Sequence, residues 1–278
     1  MSDTIVIYHG DCADGFTAAW AFRALRVEGP DASYVPAKHG EAPPQVAGKD
    51  VYVLDFAYPR ETLLRMHEAA SSLLVLDHHK TAQEDLVGLP FCVFDMDRSG
   101  AGLTWDYLAA EAASGPERPW LVDFVEDRDL WRFRFGDETR FVHAYITTLP
   151  MTFEAWDLLA RDGRRRAVEQ GKAIQSYIDT YSEKARQLAT IREIGGYSVP
   201  VINIPYMNVS DHIDRLCKAY PSHPFGASFF MRADGRWQFS LRSMGEFDVA
   251  EVAARYGGGG HRNAAGFTVE QLPWDGSG

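Results

Sequence analysis

Residues 73–79, LLVLDHH, join an apolar run to an aspartate and two histidines, and this junction indicates the fold of the first half of the chain. Three other segments share the pattern: TIVIYHGDCADG at residues 4–15, VYVLDF at 51–56 and CVFDMD at 92–97. Apolar runs of this length predict buried strands, and the stretches between them, such as FTAAWAFRAL and ETLLRMHEAA, have helical spacing. Alternating strands and helices predict a mainly parallel sheet.

The later part of the chain has a different pattern. From Phe153 to Arg192 it lacks strand signals, and its second half predicts one long helix. Beyond Gly195, short β-rich runs alternate with turn residues and one helix, DVAEVAARY. We therefore predict an α/β protein: a mainly parallel N-terminal domain (1–150), a helical connector (151–194) and a smaller α+β C-terminal domain (195–278).

Composition narrows the class of protein. The formal net charge of −11 repels polyanions and disfavours sequence-independent binding of long nucleic acid. No segment has the apolar length of a membrane span or the form of a signal peptide, so we expect a cytoplasmic protein without a membrane partner. The three cysteines, Cys12, Cys92 and Cys217, are widely spaced and are expected to be reduced, with Cys12 as a filler residue.

Acidic and imidazole side chains follow each predicted strand. Open α/β sheets bind ligands beyond the carboxyl ends of their strands, so these side chains should converge on one crevice. Their mixture of oxygen and nitrogen donors suits a divalent ion such as Mn²⁺. Asp55 could bridge two ions, and Asp77 could orient an imidazole. The converging residues are His9, Asp11, Asp14, Asp55, Asp77, His78, His79 and Asp95.

Several of these residues also have simple structural interpretations. Asp14 and Asp55 could cap helices, and the histidine pair could lie in a surface turn. In VDFVEDRDLW the acidic residues could be solvated charges at a helix end. We take Asp127 as the preferred ligand of that segment and Asp129 as the alternative.

The segment GGGGHRNAAG, from Gly257 to Gly266, indicates a second site. Consecutive glycines cost chain entropy but let backbone N–H groups approach a phosphate. Arg242, after the strand-like QFSL, could pair with the same phosphate, although an arginine there is more often an ordinary surface residue. A flexible linker is the alternative interpretation of the glycine run.

Together these motifs resemble the DHH phosphoesterase superfamily, in its RecJ, nanoRNase and oligoribonuclease-like branch with a DHH-associated C-terminal domain. The matching segments cover nearly the whole chain: HGDCADGFTAAW, VLDF, LDHH, RSGAGLTW, EDRDLW, SLRS and GGGGHRNAAGF. One motif departs from the family pattern. Many members carry two aspartates separated by one residue before the glycine, whereas Cys12 and Ala13 both separate Asp11 from Asp14.

The resemblance implies a set of functional residues. His79 would lie near the scissile phosphate with Asp77 behind it, and substrate would be held by Arg242, Gly258, Gly259, Gly260 and His261. The implied metal ligands are His9, Asp11, Asp14, Asp55, His78 and Asp127.

The expected activity is manganese-dependent hydrolysis of phosphodiester bonds in short oligonucleotides or linear dinucleotides, in the manner of an exonuclease or nanoRNase. One or two Mn²⁺ ions would activate water, and Mg²⁺ is a substitute. An exopolyphosphatase or small-nucleotide phosphatase is an alternative within the enzyme class. A catalytically silent nucleotide-binding regulator is an alternative outside it. The sequence is compatible with a homodimer.

Overall fold

The computed structural model describes residues 3–26, 32–110 and 116–274. The chain divides into two compact units, Met1–Gln175 and Ser176–Gly278. The division falls within one helix, so the segment that the sequence analysis treats as a single connector contributes to both units. The predicted domain boundaries at 150 and 195 stay a prediction. Among the described residues, no helix combines the length and the apolar character that crossing a membrane requires.

The first unit is built on a five-stranded parallel sheet, as the sequence predicts. Tyr8 pairs with Leu54, and Leu54 pairs with Leu76. The residues that follow these positions therefore emerge side by side at one edge of the sheet. The spatial order of the strands is β2 (Ser33–Ala37), β1 (Thr4–His9), β3 (Asp50–Leu54), β4 (Ser72–Asp77) and β5 (Cys92–Phe94).

Both faces of this sheet are covered. Val6 belongs to one buried cluster, while its neighbours Ile5 and Ile7 belong to another. Burial on both faces explains why the strands are continuously apolar rather than alternating. The helices of the unit are α1 (Ala13–Leu25), α2 (Arg60–Ala69), α3 (Lys80–Asp85), α4 (Gly100–Ala110), α5 (Trp120–Asp129), α6 (Asp137–Ile146), α7 (Phe153–Asp162) and the first half of α8 (Arg164–Arg186).

Helix α7 is anchored on α1 by a fully buried tryptophan. Trp156 is 0% exposed, and its ring lies edge-on to Phe16 at 4.8 Å between centroids. Its indole N–H donates to Thr17 Oγ1 at 3.0 Å. The core of the first unit therefore includes residues beyond position 150.

The second unit contains a six-stranded mixed sheet, which agrees with the α+β prediction. Only β7 and β8 pair in parallel among its described strands. Its described helices are the second half of α8, α9 (Val209–Ala219) and α10 (Val249–Ala254). The spatial order of the strands is β10 (Gly259–His261), β11 (Ala264–Val269), β9 (Trp237–Ser243), β8 (Phe225–Met231), β7 (Tyr197–Asn203) and β6 (Thr190–Ile194).

Candidate metal site

His78 lies at the centre of a buried group of carboxylates beyond the strand ends. Its Nε2 atom is 3.0 Å from Asp55 Oδ1, 3.7 Å from Asp14 Oδ2 and 3.5 Å from Asp129 Oδ2. The side chains of His78, Asp14 and Asp55 are each 2% exposed. Donor atoms of these three residues all lie within 4.8 Å of one another, a spacing that one metal ion could span.

A second group of donors shares Asp55 with the first. His9 Nδ1 lies 3.4 Å from Asp55 Oδ2, whereas the contact of Asp55 with His78 described above is made by Oδ1. Donor atoms of His9, Asp55 and His79 also lie within 4.8 Å of one another. Asp55 thus offers one oxygen to each group, which is the geometry of a carboxylate that bridges two ions.

The electrostatics of the first group show how much negative charge is concentrated there. Burial raises the pKa of Asp14 well above its usual value, and repulsion from Asp55 and Asp129 adds to the effect. Burial also raises the pKa of Asp129, with repulsion from Asp55 as a further cause. Carboxylates buried together need positive charge among them.

The pKa values of His9 and His78 are raised, which favours the charged form of each imidazole. Burial alone would lower their pKa values, but contact with Asp55 raises the pKa of His9 to about 11 and that of His78 to about 10. Burial would raise the pKa of Asp55, yet hydrogen bonds with His78 and His9 hold it well below the usual value. The site favours cations, and its carboxylate oxygens and imidazole nitrogens fit a divalent ion such as Mn²⁺.

Asp14 is held in place by the amino terminus of α4. Its carboxylate accepts hydrogen bonds from Ser99 Oγ at 2.7 Å, from the Gly100 N–H at 2.6 Å and from the Ala101 N–H at 3.1 Å. The sequence analysis missed these residues as supports of the site, although they belong to the RSGAGLTW segment.

Two glycines permit this close packing. A Cβ atom on Gly100 would lie 2.3 Å from the Cβ atom of Asp55, and one on Gly15 would lie 2.3 Å from the carbonyl oxygen of His9. Asp55 itself has a φ of 55°, which is uncommon for a residue other than glycine. The surrounding packing therefore holds the shared carboxylate in a strained backbone conformation.

Asp77 contacts the imidazole that it was predicted to orient. Its Oδ1 atom lies 2.7 Å from His79 Nδ1 and accepts the His78 backbone N–H at 2.8 Å. Burial alone would lower the pKa of His79, but the charge and hydrogen bond of Asp77 raise it. This contact directs Nε2 of His79 away from Asp77.

The structure separates the two candidate acids of α5. Residues two apart on a helix differ by about 200° in direction, so they face opposite sides. Asp127 accepts hydrogen bonds from Thr139 Oγ1 at 2.5 Å and from the Arg134 N–H at 2.8 Å. Burial would raise the pKa of Asp127, but these hydrogen bonds lower it. Because Asp129 lies beside His78 and Asp127 supports the following loop, the geometry favours Asp129 over the preferred Asp127.

The loop after α5 has an unusual backbone. Trp131 and Phe133 have φ values of 55° and 52°, and aromatic residues rarely adopt this conformation. The Arg128 guanidinium lies 4.1 Å from the Trp131 ring centroid, and that of Arg140 lies 4.2 Å from the Phe133 centroid. These cation–π contacts fix the end of the helix that carries Asp129.

Asp11 does not join the donor groups described above. Its side chain is 78% exposed, and its Oδ2 atom lies 2.5 Å from Lys38 Nζ. Its φ of 56° turns the backbone between β1 and α1. Asp95 accepts the backbone N–H of Asp97 at 2.8 Å and so supports a local turn.

The predicted substrate-binding residues lie in the second unit. Arg242 on β9 and His261 on β10 are both register partners of Ala264 on β11, so they share one row of the sheet. Because β11 lies between β9 and β10, the Cα atoms of Arg242 and His261 are about 10 Å apart. The Arg242 guanidinium donates to Ser210 Oγ at 2.9 Å and to the Leu241 carbonyl oxygen at 2.8 Å.

Part of the predicted glycine loop is a strand. Gly259 pairs with Gly266, and Gly260 pairs with Ala265, so β10 includes half of the glycine run together with His261. Gly258 precedes the strand and donates its backbone N–H to the Ala253 carbonyl oxygen. The run is therefore an ordered part of the second unit rather than a linker.

The fold and the site define a class: a two-unit α/β protein with a parallel sheet, a candidate site for two metal ions and a second, mixed-sheet unit. Comparison with known proteins assigns the second unit, because residues 202–275 match the DHHA1 domain family. The match agrees with the resemblance to the DHH superfamily that the LDHH segment of the first unit suggests.

Individual proteins are also similar to this chain. An uncharacterized protein of Acanthamoeba polyphaga mimivirus is 29% identical over 292 residues, which cover 96% of this chain and 68% of the relative. The solved structure of RecJ in complex with Mn²⁺ from Thermus thermophilus is 18% identical, with a TM-score of 0.59. That similarity covers 99% of this chain and 50% of RecJ, so the chain spans half the length of that protein.

A third similarity is weaker. The pGpG-specific phosphodiesterase PggH, from a Vibrio species, is 12% identical with a TM-score of 0.49, over 96% of this chain and 93% of that protein.

Proposed function

We propose that this protein is a metal-dependent phosphoesterase that hydrolyses phosphodiester bonds in short oligonucleotides or linear dinucleotides. The observation that carries the proposal is the position of Asp55, whose two carboxylate oxygens face two different groups of donors. The proposed ligands are His9, Asp14, Asp55, His78 and Asp129. Bound divalent ions would lower the pKa of a water molecule and neutralise charge on the phosphoryl oxygens.

The remaining residues of the first unit have roles that follow from their contacts. Asp77 raises the pKa of His79 and so favours its protonated form. A protonated His79 that directs Nδ1 to Asp77 can donate a hydrogen bond from Nε2 to a phosphoryl oxygen. Ser99 and the amino terminus of α4 hold Asp14 in the orientation in which it faces His78.

Manganese is the ion that we propose for this site. Mg²⁺ strongly prefers oxygen donors, whereas His9 and His78 add imidazole nitrogen to the carboxylates. We therefore expect a higher kcat/KM with Mn²⁺ than with Mg²⁺ at matched free-ion concentration. Equal or higher activity with Mg²⁺ would argue against the histidines as ligands.

The net charge of −11 supports a short substrate. A long single strand gains its affinity from an electropositive track, which the composition of this chain disfavours. Short oligonucleotides and dinucleotides need few phosphate contacts, and Arg242 in the DHHA1 unit is the contact that we propose.

A substrate screen tests the proposal. The purified protein with Mn²⁺ would be offered linear dinucleotides, RNA and DNA of increasing length, mononucleotides and polyphosphate, with a chelator-treated sample as control. We expect the highest kcat/KM on dinucleotides or short oligonucleotides. Turnover of polyphosphate alone would replace the proposal by an exopolyphosphatase. Nucleotide binding without any turnover would replace it by a silent regulator.

Arg242→Ala should keep its metal and lose substrate affinity. The guanidinium lies in the second unit, is held by Ser210 and belongs to neither donor group. Removing a charge-assisted phosphate contact should cost roughly 1.5–3 kcal/mol, or about one to two powers of ten in kcat/KM. Steady-state kinetics and metal analysis provide the measurement.

Arg236→Ala is the matched control, because Arg236 lies in the same unit but pairs with Asp234 in an exposed turn. It should behave as the unmodified protein. Loss of metal in Arg242→Ala, or equal loss of kcat/KM in both variants, would contradict the assigned role.

A further inference from the structure

His39 is an exposed histidine that adjoins the candidate metal site. Its ring centroid lies 5.9 Å from that of His9, and the His9 and His79 ring centroids are also 5.9 Å apart. His39 belongs to neither of the two groups of metal donors described above. It is therefore a neighbour of the proposed ligands and not one of them.

The position of His39 follows from the end of β2. His9 pairs with the last residue of β2 in the parallel sheet, so the residues after β2 emerge at the edge that carries the metal site. The Glu41 N–H donates to the Lys38 carbonyl oxygen at 3.1 Å and closes a tight turn. Gly40 is the third residue of this turn, where its φ of 88° fits a type II turn. His39 is the second residue, and the turn fixes its backbone.

Ring packing holds the imidazole of His39. The His39 and Phe56 ring centroids are 4.8 Å apart, and Phe56 is buried, with 1% of its surface exposed. Among the residues that the structure describes, none makes a hydrogen bond or an ion pair with the His39 ring. A neutral imidazole carries an N–H donor in either tautomer. His39 therefore offers a positioned donor that no described residue accepts.

His39 lies on the more exposed side of the metal site. The side chains of Asp14, Asp55 and His78 are each 2% exposed, whereas that of His9 is 27% exposed. A substrate can therefore reach the donors more readily beside His9, and His39 contacts the His9 ring. An N–H donor at this position can bind an anionic oxygen of the substrate.

We propose that His39 is a substrate-binding residue that donates a hydrogen bond to a phosphate oxygen. The inference rests on the proposed function and adds a phosphate contact in the first unit to that of Arg242. A phosphate contact does not distinguish one base from another, so it contributes to substrates of different sequence. The sequence analysis missed His39 because β2, SYVPA, lacks the continuous apolar run of the neighbouring strands.

Three substitutions separate the hydrogen bond from the ring. His39→Phe keeps a ring against Phe56 and removes both nitrogen atoms, whereas His39→Asn and His39→Gln remove the ring and place an amide N–H donor near Nδ1 and Nε2, respectively. The Mn²⁺-loaded proteins would be titrated calorimetrically with inorganic phosphate, and kcat/KM would be measured on a linear dinucleotide. His39→Phe should lower both phosphate affinity and kcat/KM about tenfold. At least one amide variant should stay within about threefold of the unmodified protein.

His67→Phe is the matched control. His67 is another exposed histidine of the first unit, and its ring stacks on that of Phe91 at 4.3 Å between centroids. It belongs to neither donor group, so this variant should bind phosphate and turn over substrate as the unmodified protein does. All four variants should keep their metal in elemental analysis, and circular dichroism would confirm that each is folded.

The outcomes separate this inference from the proposed function. Unchanged phosphate affinity in His39→Phe, equal losses in all three His39 variants, or loss of metal in any of them would overturn the role of His39. A fall of kcat/KM in both amide variants but not in His39→Phe would replace the hydrogen bond by stacking of the ring on a base. Absence of turnover by the metal-loaded unmodified protein would instead overturn the proposed hydrolysis, and the phosphate titration would still decide the role of His39.

Discussion

Asp55→Asn is expected to lose bound metal and nearly all turnover. Asparagine keeps the size of the side chain but removes the charge that faces His78 on one side and His9 on the other. Both donor groups lose their shared ligand, so kcat should fall by at least about 10³-fold, the upper end for loss of a single preorganised electrostatic contact. Elemental analysis of the metal-loaded protein and single-turnover kinetics measure the two effects.

Asp50→Asn is a suitable control for this change. Asp50 lies at the opposite end of the same strand, β3, where its carboxylate accepts a hydrogen bond from Ser72. The control should keep its metal and its activity. Full metal occupancy in Asp55→Asn would remove Asp55 from the site and with it the main support for a phosphoesterase.

The second large effect concerns two acidic residues of α5, Asp127 and Asp129, whose substitutions should have different outcomes. Asp129→Asn should lose metal and reduce kcat by about 10²–10³-fold, because its carboxylate faces His78. Its fold should persist. Asp127→Ala should instead destabilise the protein by about 3 kcal/mol, since Thr139 and the Arg134 N–H lose a buried carboxylate acceptor.

Denaturant unfolding and metal analysis on both variants separate these roles. Measured at a temperature where both proteins are folded, Asp127→Ala should still bind metal. If Asp127→Ala loses metal at unchanged stability while Asp129→Asn retains it, the sequence-based preference for Asp127 is correct and the assignment made from the geometry is not.

The sheet and the centre of the site were predictable from the sequence because both follow from strand periodicity. Apolar runs buried on two faces mark parallel strands, and the parallel register then brings the residues after Tyr8, Leu54 and Leu76 to one edge. His9 and Asp55 follow two of these positions directly, and His78 is the first residue after the end of β4. Their proximity needs no knowledge of loop conformation.

The positions of the residues that the sequence left open depend on loop conformation and on the rotation of α5 about its axis. Asp127 and Asp129 are both acidic, and only the packing of α5 and the turn after it decides which of them faces His78. The positive φ of Asp11 directs its side chain to solvent and leaves Cys12 beside Asp55, which residue spacing alone does not reveal. The glycine run was predicted to be a loop because its composition does not reveal the hydrogen-bonded pairing of Gly259 and Gly260 with β11.

The packing of Trp156 against Phe16 determines where the chain can be divided. A fragment cut near position 150 would lack the indole that fills the space over α1 and would leave Thr17 without that hydrogen bond. Losing a fully buried tryptophan costs about 3–5 kcal/mol, a large share of the stability of an ordinary domain. Because Asp14 lies in the first turn of α1, inactivity of such a fragment would report a damaged core rather than a missing DHHA1 unit. A fair dissection of this protein keeps every residue through Gln175 with the parallel sheet.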